Sequence, residues 1–188
     1  MSKTVEGAET AEAVATAETV ETVAADQSTA AEDLFRLLES GGAEYRLMNH
    51  APEGRTDVVS EMRGHRIEQA AKCIVVRTKV TKKQSAYVLA VVPGDRKVDL
   101  DRIREHRDAR NASFADSPTA ERLSQSVSGA IIPFTFDPAL ELVVDPDLLV
   151  HEEIYFNAGS LDRSIALKTD DYVRLAQPVV KRIALTVA

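Results

Sequence analysis

The sequence predicts an α+β domain in which helices flank a curved, mixed β-sheet. Short apolar runs rich in Val, Ile and Leu, at residues 73–76, 85–92 and 140–144, are typical of strands. Helical segments separate the runs, but without the regular β-α-β order of a parallel sheet. No G-x-G-x-x-G or Walker loop is present, which disfavours a dinucleotide-binding fold.

The predicted domain covers residues 29–188 and follows an acidic tail. Residues 1–28 repeat Ala, Thr, Glu and Val without aromatic residues or leucine, a composition that predicts disorder. Thr29 and Glu32 then have the spacing of a capping box, so we expect the first helix to begin there. The remaining length is sufficient for one domain with its own core.

The other elements are predicted from polar residues that precede helical periodicity and from β-branched runs. We expect further strands at 45–48, 153–156 and 164–167, and helices capped by Thr56, Asp99, Ser117 and Thr169. Residues 67–71 form a helical turn that leads directly into Lys72. Lys72 is therefore predicted at a helix-to-strand junction.

Composition excludes several classes of protein. No apolar run approaches the ~20 residues that cross a bilayer, and the N-terminus lacks the plan of a secretory signal. Cys73 is the single cysteine, which excludes an internal disulfide and suits a reducing compartment, so a cytoplasmic protein is predicted. The four histidines have no zinc-binding spacing, and neither a metal nor another cofactor is predicted.

The formal net charge of −7 is unevenly distributed. Residues 1–30 carry −5, which leaves −2 for residues 31–188. Basic residues are crowded into about thirty positions, at Lys79, Lys82, Lys83, Arg96, Lys97, Arg102, Arg104, Arg107 and Arg110. They could form a face that binds phosphates. A solvated surface with interleaved acids is the alternative, and the sequence alone favours it.

The stretch 128–136, Ser-Gly-Ala-Ile-Ile-Pro-Phe-Thr-Phe, is the central candidate for a functional loop. Gly129 permits positive φ or a close backbone approach, while Pro133 fixes φ and lacks an N–H group. Such a loop could present backbone groups to a ligand. On pattern alone, an ordinary turn between a helix and a strand is the simpler interpretation.

Three motifs in order resemble those of the YbaK/prolyl-tRNA-editing family of aminoacyl-tRNA deacylases. They are Ala-Lys-Cys-Ile-Val-Val at 71–76, Gly-Ala-Ile-Ile-Pro-Phe at 129–134 and Phe-Asn-Ala-Gly-Ser at 156–160. Segments 59–64 and 171–178 look most like the YeaK-type subgroup, and the resemblance covers about residues 30–180. It implies a curved mixed sheet, or pseudo-barrel, flanked by helices.

The resemblance implies a hydrolase that removes a wrongly attached small amino acid, such as Ala, Ser or Thr, from tRNA. The implied partners are the terminal adenosine and acceptor end of mischarged tRNA, together with an aminoacyl-tRNA synthetase, and no membrane. Lys72 matches the family's essential lysine, and Gly129 and Pro133 match its Gly-x-x-x-Pro loop. Lys72 and Gly129 are therefore the predicted catalytic residues. A non-catalytic module that binds tRNA or a synthetase is the alternative.

Hydrolysis of an aminoacyl ester requires a positioned water, stabilisation of developing charge and a grip on the terminal nucleotide. The Lys72 ammonium suits a phosphate near the ester, and the loop backbone could orient the water. Without the family resemblance, Lys72 would be interpreted as a surface lysine. For Asn157 and Ser160, hydrogen bonds to the substrate and caps of a strand end are equal alternatives. The predicted substrate-binding residues are Ile131, Ile132, Pro133, Phe134, Asn157, Gly159 and Ser160.

Overall fold

The computed structural model describes residues 29–81 and 83–185 and shows an α+β domain. The predicted acidic tail and Lys82 lie outside the described residues. The helices are α1 (Ala30–Ser40), α2 (Thr56–Arg63), α3 (Leu100–His106), α4 (Ser117–Ser124) and α5 (Thr169–Ala176). The strands are β1 (Tyr45–Asn49), β2 (Ala71–Lys79), β3 (Ser85–Pro93), β4 (Asn111–Phe114), β5 (Leu140–Val144), β6 (Glu153–Ser160), β7 (Arg163–Lys168) and β8 (Val179–Val180). Short 3-10 turns lie at Ile67–Gln69 and Pro146–Leu148.

The strands are divided between two sheets. One is antiparallel, in the order β1-β7-β6, and the other is mixed, in the order β4-β2-β3-β5-β8. In the mixed sheet β2 is antiparallel to β3 and β4, whereas β5 runs parallel to β3 and β8. The predicted α+β class with mixed strand directions is confirmed. The two sheets meet where Ala70, just before β2, forms a parallel bridge with Tyr155 of β6.

Two hydrophobic cores lie on opposite faces of the mixed sheet. Successive side chains of a strand point to opposite faces, and β3 accordingly contributes Leu89 and Val91 to one core and Val88, Ala90 and Val92 to the other. The first core also receives α1, α4, α5 and the inner face of the three-stranded sheet. The second is covered by α3 and the C-terminal segment. Strand β2 therefore separates two packed layers and carries Lys72 at its start.

Two of the predicted helix caps are confirmed and three are wrong by one residue. The Thr29 hydroxyl accepts from the Glu32 amide at 3.4 Å, the Glu32 carboxylate accepts from the Thr29 amide at 2.8 Å, and Asp99 caps α3. The helices predicted to be capped by Thr56, Ser117 and Thr169 instead begin with these residues. The residue before each one has extended ψ and is the actual N-cap. Tertiary contacts determine where the chain leaves the extended conformation, and local spacing did not reveal that point.

Two strands differ from prediction in ways that affect the functional site. Strand β4 was not predicted, because its residues are mostly exposed and show no clear alternation. Strand β6 is longer than predicted and includes the segment Asn157 to Ser160. Its pairing with β7 is irregular in that segment, where Gly159 has a φ of +79°. Within residues 29–81 and 83–185, no helix has the length and apolar character needed to span a membrane.

Candidate active site

A cavity of about 190 Å³ lies where the two sheets meet. Its walls come from the start of β2, the middle of β6, helix α2 and the loop that contains Gly129. Strand β4 pairs with β2 only from Val76 to Lys79, so the part of β2 beside the cavity has no strand neighbour on that edge among the described residues. The cavity is therefore bordered by an open strand edge.

Gly129 forms one wall of the cavity through direct backbone contact with Gly54. Gly129 has a φ of +86°, and a Cβ atom there would lie 3.0 Å from the Cα atom of Gly54. A Cβ atom on Gly54 would in turn lie 3.3 Å from the Cα atom of Gly129. Glycine is thus required at position 129 both for its backbone conformation and for the close approach. The predicted loop glycine is in the cavity wall, whereas Gly54 was not predicted.

Asn157 holds the two glycine loops together. Its side-chain nitrogen donates to the backbone oxygen of Glu53 at 3.0 Å and to that of Gly129 at 2.9 Å. Its side-chain oxygen accepts hydrogen bonds from Arg63 and from the Ser164 hydroxyl. The side chain is buried and its hydrogen-bonding groups are all engaged within the protein. This geometry makes Asn157 a positioning residue, and its predicted contact with substrate stays a prediction.

Arg63 lines the cavity and was absent from the predicted site. Its Nε donates to Ser164 Oγ at 2.9 Å, and one terminal nitrogen donates to Asn157. Burial lowers the pKa of the Arg63 guanidinium to about 10, because the charged form loses solvation. The position was within a segment noted for family resemblance, but sequence alone did not reveal that the side chain turns inward from the last turn of α2.

Lys72 lines the same cavity and is anchored to the turn after β3. Its ammonium donates to the backbone oxygen of Gly94 at 2.9 Å and to that of Arg96. Burial lowers the pKa of Lys72, an effect that Asp95 opposes and Lys97 reinforces. The side chain also borders an apolar groove of about 590 Å³ next to the cavity. Lys72 thus lines both the cavity and the adjoining groove.

The structure places only some of the other predicted residues at the cavity. Ile131 lines it, whereas Ile132 and Phe134 are buried in the first core and Pro133 is buried beside them. Phe134 packs edge-on against Tyr172, with ring centroids 5.3 Å apart. Adjacent loop residues therefore point in different directions.

Gly159 and Ser160 are not among the residues that line the cavity in the described part of the chain. Gly159 lies against helix α1, because a Cβ atom there would be 2.8 Å from the Cβ atom of Ala31. The close packing of β6 on this helix explains the glycine without a ligand. A substrate contact for these two residues stays a prediction.

His50 and Ser164 extend the polar network behind the cavity. Ser164 is buried and its hydroxyl is hydrogen-bonded to Nε2 of His50, to Arg63 and to Asn157. His50 therefore contacts the site through Ser164. Among the described residues, no cluster of His, Cys, Asp and Glu side chains could hold a metal ion.

Comparison with known proteins identifies the family. Residues 50–175 match the aminoacyl-tRNA editing domain family. The chain belongs to this family. The match includes Gly54, Arg63, Lys72, Gly129 and Asn157, so the whole cavity lies within the editing domain. The family predicted from the three sequence motifs is confirmed.

The chain is also similar to a curated protein and to solved structures. It is 41% identical over 155 residues to the "Multifunctional Ser/Thr-tRNA deacylase ProXp-y" of Escherichia coli strain K12. The aligned residues make up 82% of this chain and 92% of the relative. The crystal structure of hypothetical protein APE2540 has a TM-score of 0.73 at 18% identity, covering 81% of this chain and 99% of that one. The crystal structure of a candidate trans-editing enzyme for prolyl-tRNA synthetase has a TM-score of 0.69 at 19% identity. The match covers 85% of this chain and 99% of that one. At these identities the two structures establish the fold alone.

Replacing Asn157 with alanine is expected to destabilise the editing domain by at least ~2 kcal/mol. Two partly buried backbone carbonyl groups and the Arg63 guanidinium would lose their partner, and a buried polar group left unsatisfied costs about 1–3 kcal/mol. The melting temperature should fall by roughly 4–8 °C, given about 2–4 °C per kcal/mol for a domain of this size. Asn49→Ala, at an exposed position of β1, is the matched control. Equal melting temperatures for the two variants would contradict the positioning role.

Proposed function

We propose that this editing domain hydrolyses the ester bond of tRNA mischarged with a small amino acid, and that serine and threonine are among the residues it removes. The observation that carries the proposal is a small cavity in which Lys72, Arg63 and the Gly54–Gly129 contact converge. Similarity to a relative named as a Ser/Thr-tRNA deacylase supports the choice of amino acids. The proposal agrees with the deacylase predicted from the sequence.

The size of the cavity favours small aminoacyl groups. At about 190 Å³ it is smaller than the ~300–1,000 Å³ of pockets that enclose drug-sized ligands. The aminoacyl group therefore occupies the cavity, with Val59, Ile131 and Phe156 as apolar walls. A larger side chain is excluded by volume, whereas one extra methylene group changes binding by only ~1–3 kcal/mol. Selection by size thus separates small amino acids from bulky ones.

The terminal adenosine occupies the adjoining groove in this proposal. That groove is lined by apolar side chains, including Leu100 and the exposed ring of Phe114, together with Lys72 and Lys97. An aromatic ring can stack on a base at ~1–3 kcal/mol, and the two ammonium groups suit the terminal phosphates. Lys72 would then bind phosphate at the boundary between cavity and groove. Lys72 and Ile74 line both the cavity and the groove, which supports this placement.

The acceptor stem meets the part of the basic cluster that is not neutralised. Arg96, Arg102, Arg104 and Arg107 each form an ion pair with a neighbouring acid. Lys79, Lys83, Lys97 and Arg110 are exposed, and no ion pair with them occurs among the described residues. The interleaved acids predicted from the sequence therefore form ion pairs with four of these eight basic side chains. The other half remains available for phosphates.

Reversing the charge of Lys97 and Arg110 together is expected to weaken tRNA binding and to flatten its salt dependence. Each phosphate contact contributes about 0.9 (duplex) or 0.7 (single strand) to the slope of log affinity against log salt. Loss of two contacts should reduce the slope by ~1–2, measured with intact tRNA at several salt concentrations. The control is Arg174→Glu on α5, which reverses one positive charge outside the basic cluster. An unchanged slope would place the tRNA elsewhere.

The function is tested with a panel of mischarged tRNAs. Single-turnover release of free amino acid is measured for alanyl, seryl and threonyl esters and for one bulky aminoacyl ester. We expect release of serine and threonine and little release of the bulky residue. Association with tRNA but no release would instead support a binding module. Equal release from an aminoacyl ester without tRNA would support a general esterase. A synthetase partner and a cytoplasmic location stay predictions.

A further inference from the structure

We propose that Arg63 is a catalytic residue, whose guanidinium binds the carbonyl oxygen of the scissile ester as negative charge develops on that atom. The inference rests on the proposed deacylase function and assigns a role to a residue that was absent from the predicted site. Four features of the structure carry it: the charge of Arg63, its partners, its position and the size of the cavity.

Arg63 is a largely enclosed cation without an acidic partner. Within residues 29–81 and 83–185, no carboxylate lies within ion-pair distance of its guanidinium. Burial of a charge without a counter-charge is costly, and proteins normally pair such groups. Arg107, which is also partly buried, follows that rule through Glu141. The pKa of Arg63 is lowered because burial removes solvation from the charged guanidinium and no carboxylate of the described residues replaces it.

The partners of Arg63 hold its orientation but leave its charge available. Ser164 and Asn157 accept hydrogen bonds from it as neutral groups, so they do not neutralise the guanidinium. Its second terminal nitrogen has no partner in the described part of the chain. Asn157 and Ser164 are themselves buried and connected to each other. A preorganised cation with unused N–H groups is suited to an oxygen that becomes negative.

The position of Arg63 selects the ester rather than a phosphate as its ligand. Arg63 and Gly129 both line the cavity, and Arg63 is not among the described residues that line the adjoining groove. The cavity is too small for a nucleotide, so the part of the substrate that reaches Arg63 is the aminoacyl group. Lys72, in contrast, borders both spaces. The two cations therefore act on different groups of the substrate.

In the proposed step, the oxygen of a water molecule forms a bond to the carbonyl carbon of the ester. The carbonyl π-electron pair moves onto the carbonyl oxygen, where Arg63 stabilises the negative charge. The pair then re-forms the double bond, and the bond between that carbon and the ribose oxygen breaks. One proton of the water is transferred to the ribose oxygen, and the other is released as the amino acid leaves as a carboxylate. Arg63 keeps its protons throughout.

The test compares Arg63→Gln, Arg63→Ala and Arg63→Lys in single-turnover deacylation of seryl-tRNA at saturating protein. Loss of one donor to a developing oxyanion costs about 100- to 1,000-fold in rate. The two neutral variants should show a loss in this range, while the tRNA concentration for half-saturation changes by less than ~3-fold. Arg63→Lys keeps the charge and should be at least ~10-fold faster than Arg63→Gln. Arg66→Ala, an exposed arginine outside the cavity, is the matched control.

Chemical rescue separates catalysis from a structural role. Guanidinium chloride, below the concentration that shifts the melting temperature, should accelerate Arg63→Ala but neither the wild type nor Arg66→Ala. Sodium chloride at equal ionic strength should have no such effect. Rates of Arg63→Gln and Arg63→Lys that are equal, or a neutral variant within ~3-fold of the wild type, would overturn the inference. A wild-type protein without deacylase activity would overturn the proposed function instead.

Discussion

Replacing Lys72 with alanine is expected to lower the single-turnover rate of deacylation by at least ~100-fold, which corresponds to about 2.7 kcal/mol. The substitution removes a half-buried ammonium at the boundary between the cavity and the groove. Because the cavity walls come mainly from other elements, its shape should change little. The loss should therefore appear in the chemical step and in binding of the terminal phosphate.

Lys72→Arg should restore only part of the rate. The ammonium is directed by the backbone oxygens of Gly94 and Arg96, and a planar guanidinium is larger and aims its donors differently. Gly94 cannot move away easily, because a Cβ atom there would already lie 2.5 Å from the backbone oxygen of Ile67. The turn is thus packed too tightly to adapt to the longer side chain.

A melting curve for each variant separates catalysis from folding. Lys168→Ala is the matched control, since Lys168 lies at the end of β7 and pairs with exposed acids. If Lys72→Ala is folded and hydrolyses mischarged tRNA at a rate near that of the wild type, Lys72 has no catalytic role in this chain.

Gly129→Val is expected to reduce the rate by at least ~100-fold for a different physical reason. A side chain at a φ of +86° is strained, and its Cβ atom would press on the Cα atom of Gly54 at 3.0 Å. The Gly54 Cα atom is backbone and a Cβ atom at position 129 is fixed by the backbone, so the loops must separate to accommodate the contact. Separation of the loops would displace the cavity wall and the Gly129 oxygen to which Asn157 donates. Gly129→Ala should show a smaller loss, because it lacks the branched methyl groups.

Gly42→Val isolates the effect of the contact from that of backbone strain. Gly42 has a φ of +60°, but a Cβ atom there would have no neighbour within 4 Å. Both valine variants should therefore lose stability from the unfavourable φ, about 1–2 kcal/mol. Gly129→Val should melt lower than Gly42→Val and should alone lose activity. Similar melting temperatures and similar rates for the two variants would show that the Gly54–Gly129 contact does not shape the active site.

Local features of the chain were predictable where short-range physics determines them. The Thr29 capping box, the Asp99 cap and the β2 and β3 strands depend on neighbouring residues and on side-chain alternation, and the structure confirms them. The caps predicted at Thr56, Ser117 and Thr169 failed by one residue, since the end of a helix depends on what the preceding chain packs against. Strand β4 carries too few apolar residues for its sequence to indicate an edge strand.

The sequence by itself determined the α+β class, the editing family and four residues of the cavity wall, because motifs in a fixed order retain that information. These residues are Lys72, Gly129, Ile131 and Asn157. Only the tertiary structure decided what surrounds them. Gly54 lies 75 positions before Gly129, and Arg63 is 94 positions from Asn157, yet each pair is in contact. Such contacts arise when the two sheets meet at the Ala70–Tyr155 bridge. Local propensity carries no information about which distant loops that junction brings together.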